Sequence, residues 1–149
     1  MSRIGLRTYL PKVDPSNRKW HVIDLNGATI GRIAVQVADI LRGKNKPIFT
    51  PHLDTGDHVV AINAKNLKAS GNKNEQLKYY QYSGFPGGLK ETSLRLQLQK
   101  KPEDVFHHAV WGMLPKGRLG RKIIKKLHIY AGDQHPHAAQ KPEQLELKK

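Results

Sequence analysis

The chain has 149 residues, with 26 Lys and Arg against 12 Asp and Glu, a formal net charge of +14 and no Cys. Its length suits a single domain with a genuine core, and the missing Cys excludes disulfides, a thiolate nucleophile and Cys-ligated zinc. The surplus of positive charge predicts a polyanionic partner, because unneutralised like charges repel one another in a compact fold.

Composition divides the chain into three segments. Residues 1–19 are polar, contain proline and lack the apolar core of a secretory signal, so they predict an extended N-terminal arm. Residues 20–132 predict the folded α/β body. Residues 133–149 are polar and predict a tail that either lies on another surface or is disordered. No apolar run approaches the roughly 20 residues that span a bilayer, so no membrane partner is expected.

The body begins with a strand, a helix and a second strand. Trp20 to Asp24 is β-prone and precedes a turn signal. From Thr29 to Arg42, apolar residues recur at helical spacing, and Gly43 is placed to end that helix. Residues 58–63 form an apolar run typical of a strand covered on both faces. This order predicts a βαβ unit with a right-handed crossover, in an α/β fold with helices on both faces of a small, largely parallel sheet.

The second half of the body has weaker patterns. Residues 92–101 alternate leucines with polar residues, as strands do, but lack β-branched residues and hairpin turns, so we predict a helix there. The start Pro102-Glu103-Asp104 suits the first turn of another helix. We also predict a strand at 77–82 and a non-helical loop at 83–88. The helix that starts at Pro102 should end near Pro115, and a short strand is predicted at 128–130.

The segment from Lys116 to Lys126 predicts a helix with chemically opposite sides. At about 100° per residue, its aliphatic residues occupy an arc of roughly 140°. No acid occurs between Val105 and Gly132, so i,i+4 pairing within the segment cannot neutralise its cations. The alternative is an ordinary solvated helix face, which usually includes acids. We therefore predict phosphate contacts by Lys116 and by the cations opposite the aliphatic arc, which are Arg118, Arg121, Lys122, Lys125 and Lys126.

Two carboxylates at Asp54 and Asp57, with His52 nearby, admit a divalent metal site, but a tight turn explains them better. The adjacent pair His107-His108 points about 100° apart on a helix and cannot share one ion. The glycines of the 83–88 loop match neither a P-loop nor a dinucleotide motif. Asp24, at a strand end, is the strongest catalytic candidate, yet a single carboxylate is not a mechanism.

Tyr79, Tyr80 and Tyr82 could stack on unpaired bases, or two of the three could simply pack within a strand.

Six stretches occur in order along the chain: 30–34 (IGRIA), 41–44 (LRGK), 50–57 (TPHLDTGD), 70–73 (SGNK), 112–121 (GMLPKGRLGR) and 130–140 (YAGDQHPHAAQ). Together they resemble the bacterial large-subunit ribosomal protein thirteen family, over about residues 9–145. Trp111, Phe49 and Ser70 depart from the family, which often has Lys or Arg, Tyr and Thr at these positions.

The resemblance implies a three-layer α/β/α protein that binds large-subunit ribosomal RNA (rRNA), lies beside neighbouring large-subunit ribosomal proteins and supports early subunit assembly. It implies no catalytic role, and we expect no cofactor, no metal and no homo-oligomer. The expected location is a cytoplasmic or plastid ribosome. The alternatives are an RNA-processing enzyme, such as a metal-dependent nuclease using Asp54 or Asp57, and a translational repressor that binds messenger RNA.

The resemblance and the charge pattern together predict a set of RNA-binding residues. They are Arg32, Arg42, Lys44, His52, Lys73, Lys116, Arg118, Arg121, Lys122, Lys125, Lys126, His135 and His137.

Overall fold

Two β-sheets organise the chain in the computed structural model, which describes Pro11 and residues 18–147. The main sheet is parallel, with the strand order β5-β2-β1-β6. A separate antiparallel hairpin joins β3 to β4. The strands are β1 (Trp20–Asp24), β2 (His58–Ile62), β3 (Lys78–Tyr82), β4 (Leu89–Ser93), β5 (Leu127–Ile129) and β6 (Glu143–Gln144).

Within the described residues, five α-helices and two short 3₁₀ helices connect these strands. They are α1 (Ile30–Arg42), α2 (Lys73–Gln76), α3 (Leu94–Lys100), α4 (Pro102–Met113) and α5 (Arg118–Ile124), with 3₁₀ helices at Ala64–Asn66 and His137–Gln140. The predicted α/β class and largely parallel sheet are confirmed. None of the helices in the described ranges is long and apolar enough to cross a membrane.

The predicted β1–α1–β2 unit forms as expected, with β1 and β2 paired in parallel. Gly43 ends α1 with a left-handed φ of 79°, and its N–H donates to the Ile40 carbonyl. Lys44 then donates its N–H to the Asp39 carbonyl, so the last turn of α1 is capped by its own backbone.

The hydrophobic core lies on one face of the main sheet. Ile23, Val59 and Leu127 project from neighbouring strands into a cluster with residues of α1, α4 and α5. The opposite face carries rings instead, since Trp20 stacks on its register partner His58 with centroids 4.2 Å apart. His137, in the 3₁₀ helix His137–Gln140, contacts the Trp20 ring, so this short helical turn covers part of the second face.

The hairpin differs from the prediction in one strand. β3 and the following loop were predicted, and α3 confirms a helix between residues 92 and 101. The partner strand β4 was not predicted, because Leu89–Ser93 has neither alternation nor a β-branched run. Pairing with β3 creates this strand, and Lys78 and Glu91 form an ion pair of 2.8 Å across the hairpin.

The C-terminal segment lies on the protein's own body as far as residue 147. β6 pairs in parallel with β1, and the Leu145 N–H donates to the Val22 carbonyl at 2.9 Å. Leu145 and Leu147 pack against the core. Of the two outcomes left open for this segment, docking on a surface is the one observed. The predicted N-terminal arm lies outside the described residues, apart from Pro11, Arg18 and Lys19.

Candidate nucleic-acid interface

Helix α5 presents four exposed cations, Arg118, Arg121, Lys122 and Lys125. Its opposite side is apolar, with Ile123 buried in the core and Leu119 and Ile124 packed against it. None of the acids in the part of the chain described by the structure lies within ion-pair distance of these four cations. The amphipathic helix is therefore confirmed, and its charged side is free to meet an anion. We call these four residues the α5 cations.

The turn before α5 places the helix against the end of α4. Gly120 is buried, and a Cβ built on it would come within 1.7 Å of the Pro115 carbonyl oxygen. Only a glycine therefore allows α5 to lie this close to the preceding turn. Lys116, in that turn, donates from Nζ to the Trp111 carbonyl at 2.8 Å and lies 5.2 Å from the Trp111 ring centroid. Its charge is thus held against Trp111, near the end of α4.

Lys126 was predicted to lie on the charged side of the helix together with the α5 cations, and this prediction is wrong. The helix ends at Ile124 with Lys125 as its C-cap, so the helical projection no longer applies at residue 126. Lys126 is only 3% exposed. Its Nζ donates to the Leu41 carbonyl at 2.9 Å and to the Asp54 carboxylate. Burial lowers the pKa of Lys126, although Asp54 acts in the opposite direction.

The loop that carries Asp54 and Asp57 is held to the body by cations. Asp54 also pairs with Arg18 at 3.0 Å. Asp57 accepts from Lys46 Nζ at 2.6 Å and lies 3.4 Å from His21 Nε2. Burial raises the pKa of Asp57, but these hydrogen bonds and one from the Lys19 N–H outweigh it and hold the pKa at about 2.

Both carboxylates therefore act as anchors for the loop. Across the described residues, no group of three or more His, Asp or Glu side chains could hold a metal ion. His52 lies exposed in this loop.

The C-terminal end of α1 holds two more predicted contacts. Arg42 is half-buried, with its guanidinium carbon 5.8 Å from the centroid of the Phe49 ring. Lys44 pairs with Asp39 at 2.7 Å, and both side chains remain more than 40% exposed. Lys44 is thus partly neutralised within the protein, whereas Arg42 keeps its charge beside an aromatic ring.

Arg32 and Lys73 lie elsewhere. They line one cleft beside the first turn of α1. Arg32 and Arg42 are ten residues apart on the same helix, which corresponds to about 15 Å along its axis. The predicted contacts consequently fall into separate regions of the surface instead of one continuous site.

His135 and His137 belong to a ring cluster on the second face of the main sheet. The cluster also contains Trp20, His58, His128 and Tyr130, and the Tyr130 hydroxyl and His137 Nε2 are 2.8 Å apart. His137 is tilted against His128 with centroids 4.6 Å apart. Both tail histidines are half-buried. Sequence reasoning missed this cluster, because its members come from three strands, a 3₁₀ helix and the loop between residues 130 and 136.

The fold and surface define a class: an α/β protein with a cationic helix that has little acid to neutralise it, suited to a polyanion. Comparison with known proteins gives the family. The family model described as Ribosomal protein L13 matches residues 18–136. The chain therefore belongs to the ribosomal protein L13 family, and the resemblance seen in the six stretches is confirmed.

Curated relatives match nearly the whole chain. The large ribosomal subunit protein uL13 of Maridesulfovibrio salexigens is 54% identical over 142 residues, which cover 95% of this chain and all of the relative. The uL13 protein of Syntrophomonas wolfei is 54% identical over 143 residues, covering 96% of this chain and 99% of the relative. The uL13 protein of Psychrobacter cryohalolentis is 52% identical over 142 residues, covering 95% and 100%.

Proposed function

We propose that this protein is a structural constituent of the large ribosomal subunit in the cytoplasm. In this role it binds large-subunit rRNA, contacts neighbouring large-subunit proteins and supports early subunit assembly. Membership of the ribosomal protein L13 family supports the proposal. The structural observation that supports it most strongly is the row of α5 cations. All four are exposed, and no carboxylate among the residues the structure describes lies within ion-pair distance of them.

The mechanism is electrostatic. Arg and Lys side chains donate charge-assisted hydrogen bonds to phosphate oxygens, and each neutralised phosphate releases counterions. Because α5 is fixed by Ile123 in the core and by Gly120 against Pro115, its cations are presented in one orientation. A rigid cationic helix lets two phosphate backbones approach each other at lower electrostatic cost.

The proposed role is non-enzymatic. Asp24, the strongest catalytic candidate, accepts hydrogen bonds from Asn63 Nδ2 at 2.8 Å and from the Asn26 N–H at 3.0 Å. It therefore serves the turn that follows β1. Asp54 and Asp57, the residues considered for a nuclease, are engaged by cations of the body. No specific contact among the described residues supports the alternative functions, which were an RNA-processing enzyme and a repressor that binds messenger RNA.

Charge reversal on α5 tests the proposal. We expect Arg121→Glu with Lys125→Glu to weaken binding to large-subunit rRNA at least tenfold in a filter-binding assay, while the melting temperature stays close to that of the unmodified protein. The matched control is Lys100→Glu with Lys101→Glu, which makes the same change in net charge at the junction of α3 and α4. Equal loss of affinity in both variants would mean that only net charge matters, and would contradict a site on α5.

A further inference from the structure

A cleft of about 690 Å³ opens beside the first turn of α1. Its other walls come from residues 69–73, the start of β3 and the middle of α4, and Leu94 forms part of its apolar lining. Leu94 is 1% exposed, so this part of the cleft belongs to the folded interior. The volume falls within the range of about 300–1,000 Å³ that is typical of small-molecule sites.

The lining of this cleft carries positive charge without acid. Arg32, Lys73 and Lys78 line it, and no Asp or Glu does. Lys78 is paired with Glu91 across the hairpin. Arg32 and Lys73 are exposed and, within residues 18–147, have no carboxylate at ion-pair distance. The cleft therefore favours an occupant that carries negative charge.

The same cleft offers aromatic surface. Tyr79 is half-buried and meets the His108 ring edge-on, with centroids 5.5 Å apart and an interplanar angle of 79°. Burial raises the pKa of the Tyr79 phenol, so the ring stays neutral. Tyr80, the next lining residue, is 63% exposed. Aromatic faces next to free cations are the combination that binds unstacked bases and their phosphates.

We propose that this cleft binds one unpaired nucleotide of large-subunit rRNA. Its base packs against Tyr79, and its phosphate lies at Arg32 and Lys73. This inference rests on the proposed function and adds to it a contact with single-stranded RNA, separate from the phosphate contacts of the α5 cations. A base inside a duplex is already stacked and cannot enter a cleft, so the nucleotide must be unpaired.

Gly31 provides a variant that fills the cleft without disturbing the fold. It lines the cleft, and a Cβ built on it meets no other atom within 4 Å. We therefore expect Gly31→Phe to fold normally while its ring occupies the space of the base. The matched control is Val35→Phe, one turn further along α1, which is 49% exposed and outside the lining.

Ultraviolet crosslinking tests the proposal with the full chain and large-subunit rRNA. After digestion with nuclease and trypsin, we expect the peptide of residues 79–90 to carry one nucleotide in the unmodified protein and in Val35→Phe. In Gly31→Phe this adduct should fall about tenfold, as expected for a lost stacking contact. Arg32→Gln with Lys73→Gln should reduce it as well, while Lys65→Gln with Lys100→Gln should not.

Three results would overturn the proposal. The first is an adduct of equal yield in Gly31→Phe, and the second is no adduct on residues 79–90 although the protein binds rRNA. The third is a crosslink from the cleft to a neighbouring ribosomal protein in intact large subunits, which would assign the cleft to a peptide. If the unmodified protein fails to bind rRNA at all, the proposed function fails as well, and the filter-binding assay detects this separately.

Discussion

Two consecutive lysines show how burial decides the role of a charge. Lys125 is exposed at the end of α5, whereas Lys126 is buried and donates to the Leu41 carbonyl and to Asp54. A cation removed from water requires a compensating partner, and here a carboxylate from a distant loop supplies it. At the residue scale, positive charge in the sequence therefore does not by itself identify a contact with RNA.

Asp54→Ala tests this compensation. We expect it to lower the free energy of unfolding by about 3 kcal/mol, because it leaves Lys126 buried without its carboxylate. The value is near the low end for a buried pair, since the Asp54 side chain is 15% exposed. Urea denaturation measures it. Asp39→Ala, which breaks the exposed pair with Lys44, should cost no more than about 1 kcal/mol, and a similar cost for both variants would contradict the account.

The ring cluster predicts a pH dependence of stability. Burial and, to a lesser extent, nearby positive charge lower the pKa of His58 from 6.5 to about 4. Between pH 6.5 and about 4, the unfolded chain therefore binds a proton on His58 that the folded protein does not bind. The stabilisation is complete above pH 6.5 and is lost as the pH falls towards 4.

His58→Phe keeps a ring beside Trp20 but removes the titrating nitrogen. We expect the free energy of unfolding of this variant, measured by urea denaturation, to depend less on pH between 6.5 and about 4 than that of the unmodified protein. His107→Phe, at an exposed position of α4, is the control and should leave the pH dependence unchanged. An unchanged pH dependence in His58→Phe would show that the His58 ring does not carry the effect.

At the element scale, local pattern predicted most of the helices and strands. β1, α1 and β2 follow from hydrophobic period and from Gly43, which the structure places in a left-handed turn. β4 could not be predicted, because it has no strand-like pattern of its own and forms by cross-strand pairing with β3. β6 has two residues, and its pairing with β1 joins parts of the chain more than 100 residues apart. Such long-range pairing leaves no local signal in the sequence.

The candidate site was predictable to the extent that it lies on one regular helix. The α5 cations lie where the helical projection places them, and the projection fails at Lys126, where the helix has ended. The cleft beside α1 was beyond sequence reasoning, although Arg32, Lys73 and the tyrosines of β3 were each singled out. Only the fold brings these elements together around one cavity.

Gly120→Ala tests how α5 is placed. The added methyl group would collide with the Pro115 carbonyl, so we expect a loss of about 1–3 kcal/mol in the free energy of unfolding, typical of overpacking. Gly117→Ala is the control, because a Cβ there meets nothing within 4 Å. Thermal and urea denaturation compare the two. If Gly120→Ala is as stable as Gly117→Ala, the close approach of α5 to the preceding turn is not required.

At the scale of the whole molecule, the net charge of +14 is distributed unevenly. The acids of the 54–57 loop hold the body together by pairing with buried or half-buried cations, whereas the α5 cations, Arg32 and Lys73 are exposed and have no ion-pair partner among residues 18–147. Acid thus pairs with the internal cations and with some exposed ones, such as Lys44 and Lys78, but within the described residues it does not pair with the α5 cations, Arg32 or Lys73. This separation fits a folded body that meets a polyanion along several surfaces.

The salt dependence of rRNA binding tests this account most directly. The logarithm of affinity falls linearly with the logarithm of salt concentration, with a slope of about 0.9 per neutralised phosphate in duplex DNA. Replacing all four α5 cations by Gln should therefore reduce the magnitude of the slope by about 3–4 relative to the unmodified protein, while the melting temperature is retained. A variant that remains folded and binds rRNA with an unchanged slope would contradict the claim that α5 engages the phosphate backbone.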